Sequence, residues 1–145
     1  MTSHRMVAEH ETSSTTLLML EKLLFDYNLS TTGLAEYHPV LFCLRDAANE
    51  FCGGIAGYIW GGWLHITMLG LHESVRGRGF GRSLLEAAEQ HARSLGCLDV
   101  YLNTFDFQAP AFYQKHGYRL FGQLPNCPNG YVSYYLQKHL TATEP

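Results

Sequence analysis

One junction constrains this chain more than any other. From Leu69 to Leu85 an apolar run enters a short turn, Arg76-Gly77-Arg78-Gly79-Phe80-Gly81-Arg82, and a long helical pattern starts at once. Three alternating glycines permit backbone conformations closed to other residues and leave no side chains over the turn. The amides so exposed lie where a helix N-terminus has unpaired N–H groups and partial positive charge. Arg76, Arg78 and Arg82 add full charges. A strand, an anion cradle and a helix in immediate succession predict a site for phosphate or pyrophosphate.

Composition narrows the classes that could use such a cradle. The chain has 145 residues, 46% hydrophobic and 13% aromatic, which suits one globular domain with a proper core. We therefore expect a single domain over 1–145, with short flexible tails at 1–5 and 141–145. The formal charge of −3 and the lack of a basic run argue against nucleic acid as a partner. The four cysteines, Cys43, Cys52, Cys97 and Cys127, are far apart, and read as reduced thiols rather than a disulfide frame or zinc site. The eight histidines show no His-x-x-x-His spacing, so no metal is expected. No apolar run reaches the length of a membrane span, and the expected location is the cytoplasm.

Periodicity then lays out the elements. A short strand is expected at Met6–His10, and an amphipathic helix over Thr15–Asn28 with Ser13, Ser14 or Thr15 as its cap. Strands follow at Val40–Arg45, Gly54–Trp60 and Trp63–His72, the last two joined at Gly61-Gly62. Along the third strand, Trp63, His65, Thr67, Leu69 and Leu71 are expected on one face and Leu64, Ile66, Met68 and His72 on the other. Gly70 suggests a bulge or a close backbone approach. In the helix after the cradle, Leu84, Leu85, Ala88, Ala92 and Leu95 form an apolar stripe, with Glu86, Gln90, Glu89 and Arg93 on the wet face. A strand at Cys97–Asn103, a short helix at Ala109–His116 and strands at Tyr118–Gly122 and Tyr131–His139 complete an α+β sheet domain.

Three kinds of glycine loop compete for the cradle. A P-loop needs four residues between its glycines and then Lys, whereas Gly77 and Gly81 enclose three and Arg82 follows. A dinucleotide loop needs glycine where Arg82 stands. Arg76 to Gly81 instead resembles, position by position, the Arg/Gln-x-x-Gly-x-Gly/Ala signature of the GNAT superfamily of N-acetyltransferases. A second stretch carries the resemblance further. Ala109-Pro110-Ala111-Phe112-Tyr113-Gln114-Lys115-His116-Gly117-Tyr118 resembles that family's Ala-x-x-Phe-Tyr-x-Lys-x-Gly-Phe/Tyr motif, in the right order after the long helix.

The resemblance implies a GNAT-like fold: a mixed, mostly antiparallel sheet with one splayed parallel strand pair and helices on both faces. It implies acetyl-CoA as cosubstrate, its pyrophosphate on Arg76, Gly77, Arg78, Gly79, Phe80, Gly81 and Arg82. The pantetheine arm would run along backbone groups of Leu69 and Leu71, near Phe112 and Asp106; many relatives carry Asn at the latter position. Tyr113 would be the general acid that protonates the departing thiolate. On helical spacing alone Tyr113, with Phe112 and Tyr118, reads as aromatic core sooner than as a catalytic group.

An alkylamine acceptor must also lose a proton. Some relatives place a glutamate where this chain has Thr67, so His65 is the nearest titratable substitute, with His72, His116 and Glu73 behind it and a water chain as a further option. Tyr27, Tyr58, Trp60 and Trp63 are expected to frame a pocket for a small-molecule or peptide amine. The readings left open are an N-acetyltransferase, a non-catalytic acyl-CoA sensor and a nucleotide-dependent enzyme. Exposed edges of the last strands would allow a homodimer.

Overall fold

The computed structural model describes residues 3–11 and 14–142. It divides into two compact units, Met1–Ala35 and Glu36–Pro145. In the first, residues 3–11 carry no regular structure, so the strand expected at Met6–His10 is absent. Ser13 lies outside the described residues, and Ser14 is the N-cap of helix α1 (Thr15–Thr32) without a side-chain capping bond. The helix overshoots its expected end because nothing before Gly33 breaks it. Ser30 and Thr32 turn their hydroxyls back to the carbonyls of Tyr27 and Asn28, and Gly33 closes the helix at φ +73°. Leu17, Leu18, Met19 and Leu20 are consecutive, so apolar residues wind around α1 instead of forming one stripe.

The second unit is a six-stranded sheet: β1 (Tyr37–Arg45), β2 (Phe51–Trp60), β3 (Trp63–Leu71), β4 (Asp99–Phe105), β5 (Arg119–Pro125) and β6 (Val132–His139). Their order is β1-β2-β3-β4-β6-β5, and every neighbouring pair is antiparallel except β3 and β4. Helix α2 (Phe80–Ser94) makes the crossover between that parallel pair, and the short helix α3 (Pro110–Lys115) follows β4. The core lies between the sheet and α2. Ile55, Leu64, Leu85, Val100, Leu102 and Leu136 are each at most 2% exposed, and each such side chain contributes about 1.5–3 kcal/mol by burial.

Two details of the register position the site. Across β2 and β3, Ile59 opposes Leu64 and Gly57 opposes Ile66, but Ala56 opposes Met68 and Ile55 opposes Leu69. One residue, Thr67, is therefore inserted as a bulge, and its hydroxyl donates to the Ala56 carbonyl at 3.2 Å. The simple alternation expected along β3 breaks there. Leu64, Ile66, Leu69 and Leu71 all turn toward the core, while Trp63, His65, Met68 and Gly70 share the opposite face. Gly70 itself is in register with Gly54 and has open space where a side chain would stand. The close approach is at Gly57, where a Cβ would overlap the His65 carbonyl.

The second detail is that parallel pairing of β3 with β4 runs only from Trp63/Asp99 to Ile66/Leu102. The bulge at Thr67 follows at once, and beyond it the two strands part.

Helix α2 also departs from its expected pattern. Leu95 is 45% exposed beyond the last turn. Glu89, expected on the wet face, is 3% exposed and meets Lys138 of β6 at 2.6 Å. The expected wet-face carboxylate is Glu86, which pairs with Arg82 at 2.8 Å.

Candidate functional site

The parting of β3 and β4 opens a cavity of about 590 Å³. One wall is the free edge of β3 from Ile66 to Leu71, with Arg76 and Gly81 at its far end. The other is the edge of β4 from Leu102 to Thr104, then Phe107 to Ala109 and the Phe112 and Tyr113 side chains of α3. Of the residues the sequence nominated, Leu69, Leu71, Arg76, Gly81, Phe112 and Tyr113 meet here.

The cradle has the backbone its glycines foretell. Gly77 and Gly79 have φ of +72° and +85°, and nothing lies within 4 Å of where their side chains would stand. Gly79 is the N-cap of α2, with no side-chain oxygen to satisfy the first helical N–H groups. The arginines diverge. The Arg76 guanidinium lines the cavity and donates from Nε to the Leu71 carbonyl at 3.1 Å, so that carbonyl already has one partner. Arg78 lies over the Phe80 ring at 5.2 Å, and Arg82 is turned to Glu86 along the helix. Gly77, Arg78, Gly79, Phe80 and Arg82 form the turn beyond the cavity and no part of its wall.

Tyr113 is held by a tight aromatic frame. Its ring stands edge-on to Phe112 at 5.1 Å and to Tyr118 at 5.7 Å, and Phe112 is edge-on to His116 at 4.6 Å. Burial pushes the Tyr113 phenol up to about 12, so it stays protonated across the physiological range. Tyr118 is raised further, by burial and then by the nearby Glu89 charge. Tyr113 is buried at 7% exposure and still lines the cleft.

His65 sits on the opposite face of the sheet, next to the last paired residues of β3 and β4. Its ring stacks on Tyr101 at 4.2 Å and 11°, and its Nδ1 is 3.1 Å from the Tyr58 hydroxyl. Burial lowers the imidazole pKa, which keeps it neutral at pH 7. Tyr37 stacks on Tyr58 at 5.3 Å, and Trp63 meets Tyr101 edge-on at 5.9 Å. Trp60, half-buried, opposes Trp63 in register. Tyr27 belongs to α1 in the other unit.

The weaker base candidates are otherwise engaged: His72 Nδ1 accepts from the Ser74 amide and caps the 3-10 turn that Glu73 opens, and His116 packs on Phe112. Asp106 is absent from the cavity wall; its amide donates to the Val132 carbonyl at 3.0 Å. Among the described residues no cluster of three or more His, Cys, Asp or Glu could hold a metal, and no helix is long and apolar enough to cross a membrane.

Tyr101, Thr104 and Gln108 were not nominated from the sequence. Tyr101 reaches His65 only through the parallel register. Gln108 immediately precedes the second motif, but no spacing rule marks a glutamine beside a cleft.

The cleft suits a long, narrow ligand with an anionic group at one end. Two unpaired strand edges can bond an extended amide chain as sheet neighbours do. The cradle at α2 offers its amides and Arg76 to a phosphate.

Comparison with known proteins agrees with this geometry. The chain is 42% identical over 93 residues to a blasticidin-S acetyltransferase of Streptomyces morookaense, covering 63% of this chain and 68% of that protein. The crystal structure of an acetyltransferase from Bacillus cereus superposes with a TM-score of 0.79 at 32% identity, covering 91% of this chain and 98% of that one. A Bacillus anthracis chain solved in complex with acetyl coenzyme A shares the fold, with a TM-score of 0.63 at 21% identity over 72% of this chain and 64% of that one. The sequence profile of the acetyltransferase (GNAT) family matches residues 6–118. The match runs through both the cradle and the Tyr113 motif, and the chain is a member of the acetyltransferase (GNAT) family.

Proposed function

We propose that this acetyltransferase moves the acetyl group of acetyl-CoA to a primary amine of a small molecule by direct attack on the thioester. The observation that carries the reading is the split of β3 from β4. It leaves a cleft with Arg76 and Gly81 at one end and Tyr113 in its wall, while His65, paired with Tyr101 just before the strands part, lies on the other face of the sheet and outside the cleft lining. Leu69 and Leu71 offer backbone groups to the arm of acetyl-CoA, and Gly77, Gly79 and Gly81 offer amides to its pyrophosphate.

Acetyl-CoA supplies the activated carbonyl. His65, neutral through burial, takes a proton from the incoming ammonium group so that the nitrogen lone pair can attack. With Nδ1–H donating to Tyr58, Nε2 is the nitrogen that accepts that proton. As the C–S bond breaks, Tyr113 Oη donates a proton to the departing thiolate, and the second proton, shed by the acylated nitrogen, restores the phenol. Its raised pKa keeps the phenol loaded at any working pH, at the expense of acid strength. The Tyr37, Tyr58, Trp63 and Tyr101 rings beside His65 suit a planar or cationic acceptor. The 42% identity to a blasticidin-S acetyltransferase makes blasticidin S the first acceptor to assay.

The test is release of free CoA thiol from acetyl-CoA with blasticidin S and a panel of amines. Tyr113→Phe should lower kcat at least about tenfold with acetyl-CoA affinity unchanged, as for a group used in the transition state. Binding of CoA without thiol release for any amine would favour the sensor reading. Undiminished turnover in the Phe variant would move the acid elsewhere.

A further inference from the structure

We infer that Gln108 is a ligand-binding residue of the cleft, donating its side-chain amide to a carbonyl of the pantetheine arm. The inference rests on the assignment of the cleft to acetyl-CoA.

Gln108 follows β4 in the turn before α3 and lines the cavity. Its carboxamide is held on two sides. The Phe105 amide donates to Oε1 at 3.0 Å, and the buried Thr104 hydroxyl donates to the same oxygen at 3.2 Å. A reverse bond, from the Gln108 amide to the Phe105 carbonyl at 2.9 Å, fixes the backbone of the turn. These bonds also settle the orientation of the carboxamide. A backbone N–H can only donate, so the atom facing it is oxygen, and the two N–H donors of Nε2 are the end that remains. Among the described residues no acceptor holds that group.

The chemistry required of the cleft matches what is left over. A pantetheine arm carries two secondary amides, and a carbonyl leaving water without a donor costs about 1–3 kcal/mol. On the β4 wall, Gln108 is a pre-oriented donor whose own acceptor is satisfied by the protein. Asp106, two residues earlier, is not in the wall, and its carboxylate could only accept.

Two variants separate this role from a structural one. Gln108→Glu keeps the oxygen that Phe105 and Thr104 bond and removes both donors. Gln108→Met removes the donors without adding charge. Each is titrated calorimetrically with acetyl-CoA and with adenosine 3′,5′-bisphosphate, which has phosphates but no arm, and thermal unfolding of the Glu variant reports its fold. The expected result is acetyl-CoA affinity weaker by about tenfold in both variants, the scale of one lost hydrogen bond in a desolvated site. Affinity for the bisphosphate should stay within about twofold.

Equal weakening of both ligands would overturn the inference in favour of a general charge or folding effect. Unchanged acetyl-CoA affinity in both variants would overturn it outright. Failure of the unmodified protein to bind acetyl-CoA would instead remove the cofactor assignment on which it rests.

Discussion

At the scale of single residues, the proposed chemistry turns on which nitrogen of His65 would face the acceptor. Tyr58 decides it. If Nδ1–H donates to the Tyr58 oxygen, that bond strengthens when the ring is protonated, so losing it lowers the imidazole pKa further. The acid limb of kcat/KM for the unmodified enzyme should therefore lie below the ordinary histidine value of about 6.5, because burial already disfavours the cation. In Tyr58→Phe the limb should move lower still, with a reduced plateau as the tautomer is freed. A limb that moves upward would mean that Tyr58 donates to Nδ1, that Nε2 carries the proton, and that His65 is not the base. His65 could be singled out from the sequence because it is the titratable residue nearest the position relatives use. Tyr101 could not, since its stacking on His65 depends on pairing two strands separated by a whole helix.

Between residues and fold stand the elements, and here the turn into α2 was legible while β3 was not. Glycines at positive φ before a helix are a local signal, and Gly77 and Gly79 take the backbone their sequence context predicts. The bulge at Thr67 has no local signal. It is a mismatch of count between β2 and β3, and it appears only when Ile59 is set against Leu64 and Ile55 against Leu69. The glycine that tolerates it, Gly57, is on the neighbouring strand, whereas Gly70, the glycine within β3, has open space around it. A pair of substitutions tests the cradle with backbone strain held constant. Any side chain at Gly79 must adopt φ near +85°, a cost of about 1–2 kcal/mol that Gly79→Ala and Gly79→Glu share. Only the glutamate adds bulk and negative charge beside the helix N-terminus. Acetyl-CoA affinity should fall modestly in the alanine variant and be abolished in the glutamate one. Micromolar binding by folded Gly79→Glu protein would remove the pyrophosphate from this turn.

At the scale of the whole sheet unit, the helix behind the cleft is tied to the far strands by one buried ion pair. Glu89 of α2 and Lys138 of β6 meet at 2.6 Å and 3.1 Å, with Lys138 also 5.4 Å from the Tyr118 ring. Helical spacing placed Glu89 beside Arg93 on the solvent face, and only the tertiary position of β6 supplies the countercharge that allows its burial. Arg93 instead reaches the Thr141 carbonyl at 2.9 Å. The pair is asymmetric, because the Glu89 side chain is 4% exposed and that of Lys138 22%. Removing the cation by Lys138→Met strands a carboxylate among apolar groups and should cost about 3–5 kcal/mol of unfolding free energy. Removing the anion by Glu89→Leu should cost less, since the lysine stem can swing its ammonium to water. In the double variant no charge is buried, and stability should return most of the way to that of the unmodified chain. Urea unfolding of the three variants reads these differences directly. A loss below about 1 kcal/mol in Lys138→Met, at the level of an exposed pair, would mean that Glu89 reaches solvent when its partner is gone. The same variants report on the site, because Tyr118 packs between this pair and Tyr113. Restored stability in the double variant with restored turnover would show that the cleft needs the packing of this corner and not its charge.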